Sequence, residues 1–113
     1  MDAREFYARI DKADDELNAV SVDLFRISSD ADHLYFIFSD LSEQAENIKD
    51  EERREKFQSV LTYLSNLLDE IGDKCCDISA EIDTVREYDL SELVVEAGEM
   101  ADEEKKAANQ AKN

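Results

Sequence analysis

The chain has 113 residues with no proline and two glycines; 42% of residues are apolar and 38% charged, and thirty acidic side chains against thirteen basic ones give a net charge of −17. One domain is the expectation at this length, and so few turn formers point to an all-helical fold. The charge excludes direct binding of nucleic acid or of an anionic membrane and favours a basic partner.

The opening residues Met1-Asp2-Ala3-Arg4-Glu5 lack the apolar core of a signal peptide, and no apolar run approaches membrane-spanning length, so a cytoplasmic location is expected. From Phe6 to Ile48 apolar or small residues recur at alternating spacings of four and three: Phe6, Ile10, Ala13, Leu17, Val20, Leu24, Ile27, Ala31, Leu34, Phe38, Leu41, Ala45 and Ile48. A sustained seven-residue repeat is the signature of a supercoiled helix. The cluster Ser28-Ser29-Asp30-Ala31-Asp32 contains poor helix formers that could cap a new helix and is the weak point of this one, and Asp40-Leu41-Ser42-Glu43 leaves a helix start at Asp40 as an alternative. His33, the single histidine, reads as an exposed surface residue, and its isolation removes paired His/Glu metal helices and His-based hydrolytic triads.

Residues 49–56 offer no apolar position, and Asp50 is placed to cap a second helix. That helix carries Phe57, Val60, Leu64, Leu67, Ile71, Cys75, Ile78, Ile82 and Val85. Folded back across a turn near Glu51, it pairs residues whose numbers add to about 102, so that Leu34 meets Leu67 and Phe57 meets Ala45 in an antiparallel, interdigitated core. The register survives only if the first helix runs unbroken through residues 28–32, which is therefore the expectation. A second row on this helix, Leu61, Leu68, Cys75 and Ile82, lies beside the main stripe, and Val22, Phe25 and Phe36 lie off the stripe of the first helix. One seam cannot cover so much apolar surface, so a third helix, a second copy or a partner is required. Cys75 and Cys76 are neighbours whose side chains diverge by about 100° on a helix, and they read as small, partly buried residues without a disulfide or zinc site.

A third helix is expected to restart after Tyr88, with Asp89-Leu90-Ser91-Glu92 as an acidic cap, carrying Leu90, Leu93, Val94, Ala97, Met100 and Ala101. It either folds back or runs on to cover Phe6, Ile10 and Ala13. The expected organisation is one helical domain over residues 1–102 and a polar helix end or tail over residues 103–113. The fold class expected is all-α, a long antiparallel helical hairpin of coiled-coil type with a shorter C-terminal helix, forming a helical bundle by self-association, in the simplest case a homodimer.

For function, the placement of charge is the informative feature. Between Phe57 and Glu104 fourteen acidic residues stand against Lys74 and Arg86 alone. Asp69, Asp73, Asp77 and Glu81 follow one another at four-residue steps, a spacing that repels and that ordinary surfaces relieve with interspersed lysines. These four residues, with Val22, Phe25 and Phe36, are the expected partner-binding residues. The reading is a non-enzymatic inhibitor of a basic, nucleic-acid-binding protein, in the manner of DNA mimics and of anti-CRISPR or anti-restriction proteins of phage, with carboxylates standing in for phosphates. No cofactor is required. An oligomerising scaffold is a further alternative that needs no acidic face.

One enzymatic pattern stands beside this. Glu43-x-x-Glu46 followed by Glu70-Ile71-Gly72-Asp73 resembles the paired motifs by which all-helical nucleoside triphosphate pyrophosphohydrolases hold magnesium. The resemblance covers about thirty residues and implies a carboxylate cage for Mg²⁺ at Glu43, Glu46, Glu70 and Asp73. The hairpin register opposes it within one chain, because Glu46 then lies about 21 Å along the helix from the level of Glu70.

Overall fold

The structure, a computed structural model, describes residues 1–112; Asn113, the last residue of the expected tail, lies outside them. It is all-α, an antiparallel helical hairpin with a C-terminal helix. Helix α1 runs Ala3–Gln44 and ends in a 3-10 turn, Ala45–Asn47; α2 runs Glu51–Val85, a π-helical turn occupies Arg86–Leu90, and α3 runs Ser91–Lys112. The chain forms two compact units, one made of Met1–Val22 with the chain from Ala80 onward, the other of Asp23–Ser79.

Two short-range devices set the helix starts. The Asp2 carboxylate accepts from the Glu5 backbone N–H at 2.8 Å, and the Asp50 carboxylate accepts from the Arg53 N–H at 3.0 Å, so each Asp satisfies one of the donors that a helix N-terminus leaves unpaired. Asp50 caps α2 as its position in the sequence indicates. Helix α1 does not break at residues 28–32, where Ser28 and Ala31 are buried.

In the unit Asp23–Ser79 the expected register holds to within half a helical turn. The Ser28 hydroxyl donates to the Gly72 carbonyl at 2.8 Å, and the hydroxyls of Ser42 and Thr62 meet at 3.0 Å. The Gln58 side-chain amide reaches the Ser42 carbonyl at 3.5 Å, and Arg54 donates to the Ile48 carbonyl at 3.2 Å, tying down the turn. What differs from expectation is the stripe that faces inward. Ser28 and Ala31 of α1 and Ala45 of the 3-10 turn are buried on the side that faces Ser65, Gly72 and Ser79 of α2, with Leu24, Phe38, Leu61, Leu68 and Cys75 half-buried among them. The second row on α2, not its main stripe, is the seam.

The large residues of the main stripes flank it. Leu34 and Leu67, expected to be buried core partners, leave 41% and 38% of their surface exposed, and Phe57, expected against Ala45, leaves 53%. The physical reason is that small residues let two helix backbones approach until a side-chain hydroxyl reaches the facing carbonyl, as Ser28 does at Gly72, which a row of Leu and Ile prevents. A Cβ on Gly72 would stand 3.5 Å from the Ser28 carbonyl oxygen and 3.6 Å from the Ala31 Cβ, so the backbones are near contact there. Truncating Leu34 within the isolated chain then costs about 1 kcal/mol rather than the several expected of a buried leucine.

In the other unit, Ser21 donates to the Asp83 carboxylate at 2.6 Å. The Arg86 guanidinium grips both oxygens of Asp14, through Nε at 2.7 Å and a terminal nitrogen at 3.3 Å, and donates to Asn18 Oδ1 at 2.8 Å. That fork holds the guanidinium above its already high ordinary pKa, chiefly through the hydrogen bonds to Asp14. The Tyr7 ring lies over Gly98, where a Cβ would come within 3.3 Å of it, and Ala97 is buried.

Helix three does not restart at Asp89. Residues 86–90 form a π-helical turn without a side-chain cap, and the Ser91 hydroxyl returns to the Glu87 carbonyl at 2.6 Å, as in a continuing helix. The cause is in the repeat. Inward-facing positions step from Ser79 to Ile82 to Arg86 and then to Leu90, Val94, Ala97 and Ala101, with three consecutive steps of four where the alternation has four, three and four. One residue too many separates the two halves of the repeat, and a π turn absorbs one extra residue while keeping both halves facing inward. The third helix therefore runs on, and residues up to Lys112 are helical.

Candidate functional site

Among the described residues no group of three or more His, Cys, Asp or Glu side chains is gathered as a metal ion requires. Glu43 and Glu46 sit where α1 gives way to the 3-10 turn, whereas Glu70 and Asp73 flank Gly72, which lies across from Ser28 and Asp32. The four carboxylates of the magnesium pattern are thus held at separate levels of the hairpin. His33 is exposed, Cys76 is exposed and Cys75 is half-buried in the seam, both cysteines as free thiols. No described helix is long and apolar enough to cross a membrane.

The acidic residues singled out in the sequence are all on the surface: Asp69, Asp73, Asp77 and Glu81 are exposed. Their four-residue steps advance about 40° each, so the row winds around α2 instead of lying along one edge. Lys74 reaches Glu70 at 3.8 Å, an exposed and weak pair. Phe25 and Phe36 expose 62% and 69% of their surface, and Phe36 is held outward by an edge-on contact with Tyr35, ring centroids 5.4 Å apart. Val22 is exposed as well.

A straighter array was not recognised in the sequence. Glu92, Glu96, Glu99 and Glu103 on α3 step by four, three and four residues, which keeps them within a band of about 60° and sets them about 5 Å apart along the axis. All four are exposed, and Glu92, Glu96 and Glu99 line one shallow groove with Ser91 and the exposed Val95. Among the described residues the ion pairs are Arg9–Glu5, Lys74–Glu70 and Arg86–Asp14, so none of the four is neutralised. The signal was present as the same alternation that marks an apolar stripe, written in glutamates.

No protein-family model, curated protein or solved structure matches this chain. What defines it is its own geometry: an all-α hairpin with a small-residue seam and unneutralised carboxylates along its surface.

Proposed function

We propose that the chain is a non-enzymatic binding module that occupies the nucleic-acid groove of a basic protein and so inhibits it. The observation that carries this reading is the straight row Glu92, Glu96, Glu99 and Glu103 on α3. Four uncompensated carboxylates at regular intervals on a rigid helix offer a basic groove what a phosphate backbone offers, a linear run of acceptors with negative charge. The cost of assembling them is already met in folding, because the helix is held by Ala97, Val94 and Ala101 on its other face. Asp69, Asp73 and Asp77 with the exposed rings of Phe25 and Phe36 form a separate surface on the other unit, charged and apolar together, suited to a groove with an apolar wall.

The test is a titration against a basic DNA-binding effector protein, followed by fluorescence anisotropy. Affinity should fall steeply with added salt, duplex DNA should compete, and exchanging Glu92, Glu96, Glu99 and Glu103 for Gln should weaken binding about a hundredfold with helix content retained. Binding that ignores salt and survives the exchange refutes the reading. Magnesium-dependent release of pyrophosphate from nucleoside triphosphates, lost on Glu70→Gln, would replace it with the enzymatic one.

A further inference from the structure

The seam leaves one side of the unit Asp23–Ser79 apolar and uncovered. Ile27, Leu34 and Leu41 stand seven apart on α1, and Phe57, Ile71 and Ile78 occupy the corresponding seven-residue row on α2. Both rows flank the same side, since Leu41 and Phe57 line one groove together with Ala45 and Ile48, whereas Ser39, Thr62 and Asn66 line a polar groove on the other side. Ile37 on α1 and Val60 and Leu67 on α2 widen the face, and its members leave between 38% and 53% of their surface exposed. That amounts to on the order of 800 Å² of apolar area, more than a monomer's ordinary largest patch and equal to one side of a standard interface.

We propose that this face is the dimer interface of the protein, with a second copy laid on it so that α1 of each copy covers α2 of the other and the two turns lie at the same end. The rims select this arrangement. Asp30 lies one heptad before Ile37 on the rim of α1, and Lys74 lies one heptad after Leu67 on the rim of α2. Gly72 packs across from Ser28 and Asp32, which puts Asp30 and Lys74 at one level of the hairpin. Turned about a two-fold axis along the helices, Asp30 of each copy meets Lys74 of the other, Ile37 meets Leu67, and aliphatic rows close on aliphatic rows. With the turns at opposite ends and the two apolar faces in full overlap, α2 lies on α2 and Lys74 of each copy comes opposite Val60 of the other. All neighbouring helices are antiparallel in the four-helix bundle that results, which opposes their dipoles favourably. The small-residue seam fits this role: a hairpin whose large side chains point to one side is half of a bundle whose core is completed by its twin. This interface stands apart from the acidic α3 row and does not rest on it.

The experiment is analytical ultracentrifugation of the full chain from about 1 to 100 µM, with the melting temperature measured over the same range. The expected result is a species of twice the 12.9 kDa chain mass, and a melting temperature that rises with concentration. Because each chain carries −17, added salt should tighten the dimer, the opposite of its effect on a basic partner. Leu34→Gln with Ile71→Gln should raise the dissociation constant about a hundredfold. Asp30→Lys alone should weaken the dimer and Lys74→Asp in the same chain should restore it, a readout that stands even if the glutamine variant loses its fold. A chain that stays monomeric with a concentration-independent melting temperature overturns the proposal. So does a dimer indifferent to the glutamine pair, or a charge exchange that fails to restore association.

Discussion

Replacing Gly72 by alanine should stabilise the protein, although Gly72 is buried where the two helix backbones are near contact. Glycine inside a helix costs about 1 kcal/mol relative to alanine, and Gly72 lies deep within α2. The added Cβ would meet the Ser28 carbonyl oxygen at 3.5 Å and the Ala31 Cβ at 3.6 Å, both ordinary contacts. The one tight approach is 2.9 Å to Asp32 Oδ1, the end of an exposed side chain outside every ion pair, which swings aside for a fraction of a kcal/mol. The Ser28 hydrogen bond to the Gly72 carbonyl is untouched. The balance is about 0.5–1 kcal/mol in favour of alanine, a rise of roughly 2–5 °C in melting temperature. Gly72→Leu places its further atoms against the Ser28 backbone, which cannot move aside, and should cost about 2 kcal/mol or more. Urea and thermal denaturation followed by circular dichroism measure both. If alanine destabilises by more than about 1 kcal/mol, the backbones are closer than these distances state and the small-residue seam is misdrawn.

Deleting Tyr88, which is exposed within the π turn, should turn residues 51–112 into an uninterrupted α-helix with the inward repeat restored to alternating steps of four and three. Helix content and cooperativity should hold or rise, whereas deleting Ala80, outside the turn, should broaden the thermal transition by leaving the π turn on a repeat it no longer corrects. The pH dependence of the Arg86–Asp14 fork follows from the sign of its shift. A raised pKa in a cation means that its contribution is complete below the ordinary value and lost only above it, so Arg86→Met should lower stability by the same amount from about pH 6 to 11. A loss that fades within that window would show that the guanidinium is not the group that matters.

The period of the sequence was legible; its phase was not. Alternating spacings of four and three gave the helices, the antiparallel register and the continuity of α1, because every member of the repeat obeys them whichever row faces inward. Choosing the row required knowing that Ser28, Ser65, Gly72 and Ser79 could outcompete Leu34 and Leu67 for the seam. Hydropathy ranks them in the reverse order, and what decides is close approach of backbones together with a hydroxyl that finds a carbonyl at 2.8 Å. The π turn was hidden for a related reason: Asp89-Leu90-Ser91-Glu92 has the chemistry of a cap, and only the inward positions on both sides reveal the surplus residue. Of the candidate surface, the excess of charge was plain, but the repulsive row Asp69, Asp73, Asp77 and Glu81 drew attention from the straighter glutamates of α3.

A seam built from Ala, Ser and Gly reverses the usual rule for which substitutions a helical pair tolerates. In a leucine-lined pair the inward positions set a floor on volume, and harm comes from taking atoms away. At Ser28, Ala31, Ser65 and Gly72 they set a ceiling, and harm comes from adding them. A library of variants scored for folding would mark those four sites as closed to every branched or aromatic residue, yet open to exchange among themselves. The same library scored for association would read the molecule differently, with volume demanded at Leu34, Leu67 and Ile71. Two selections would thus write two distinct patterns of permitted residues along the same pair of helices.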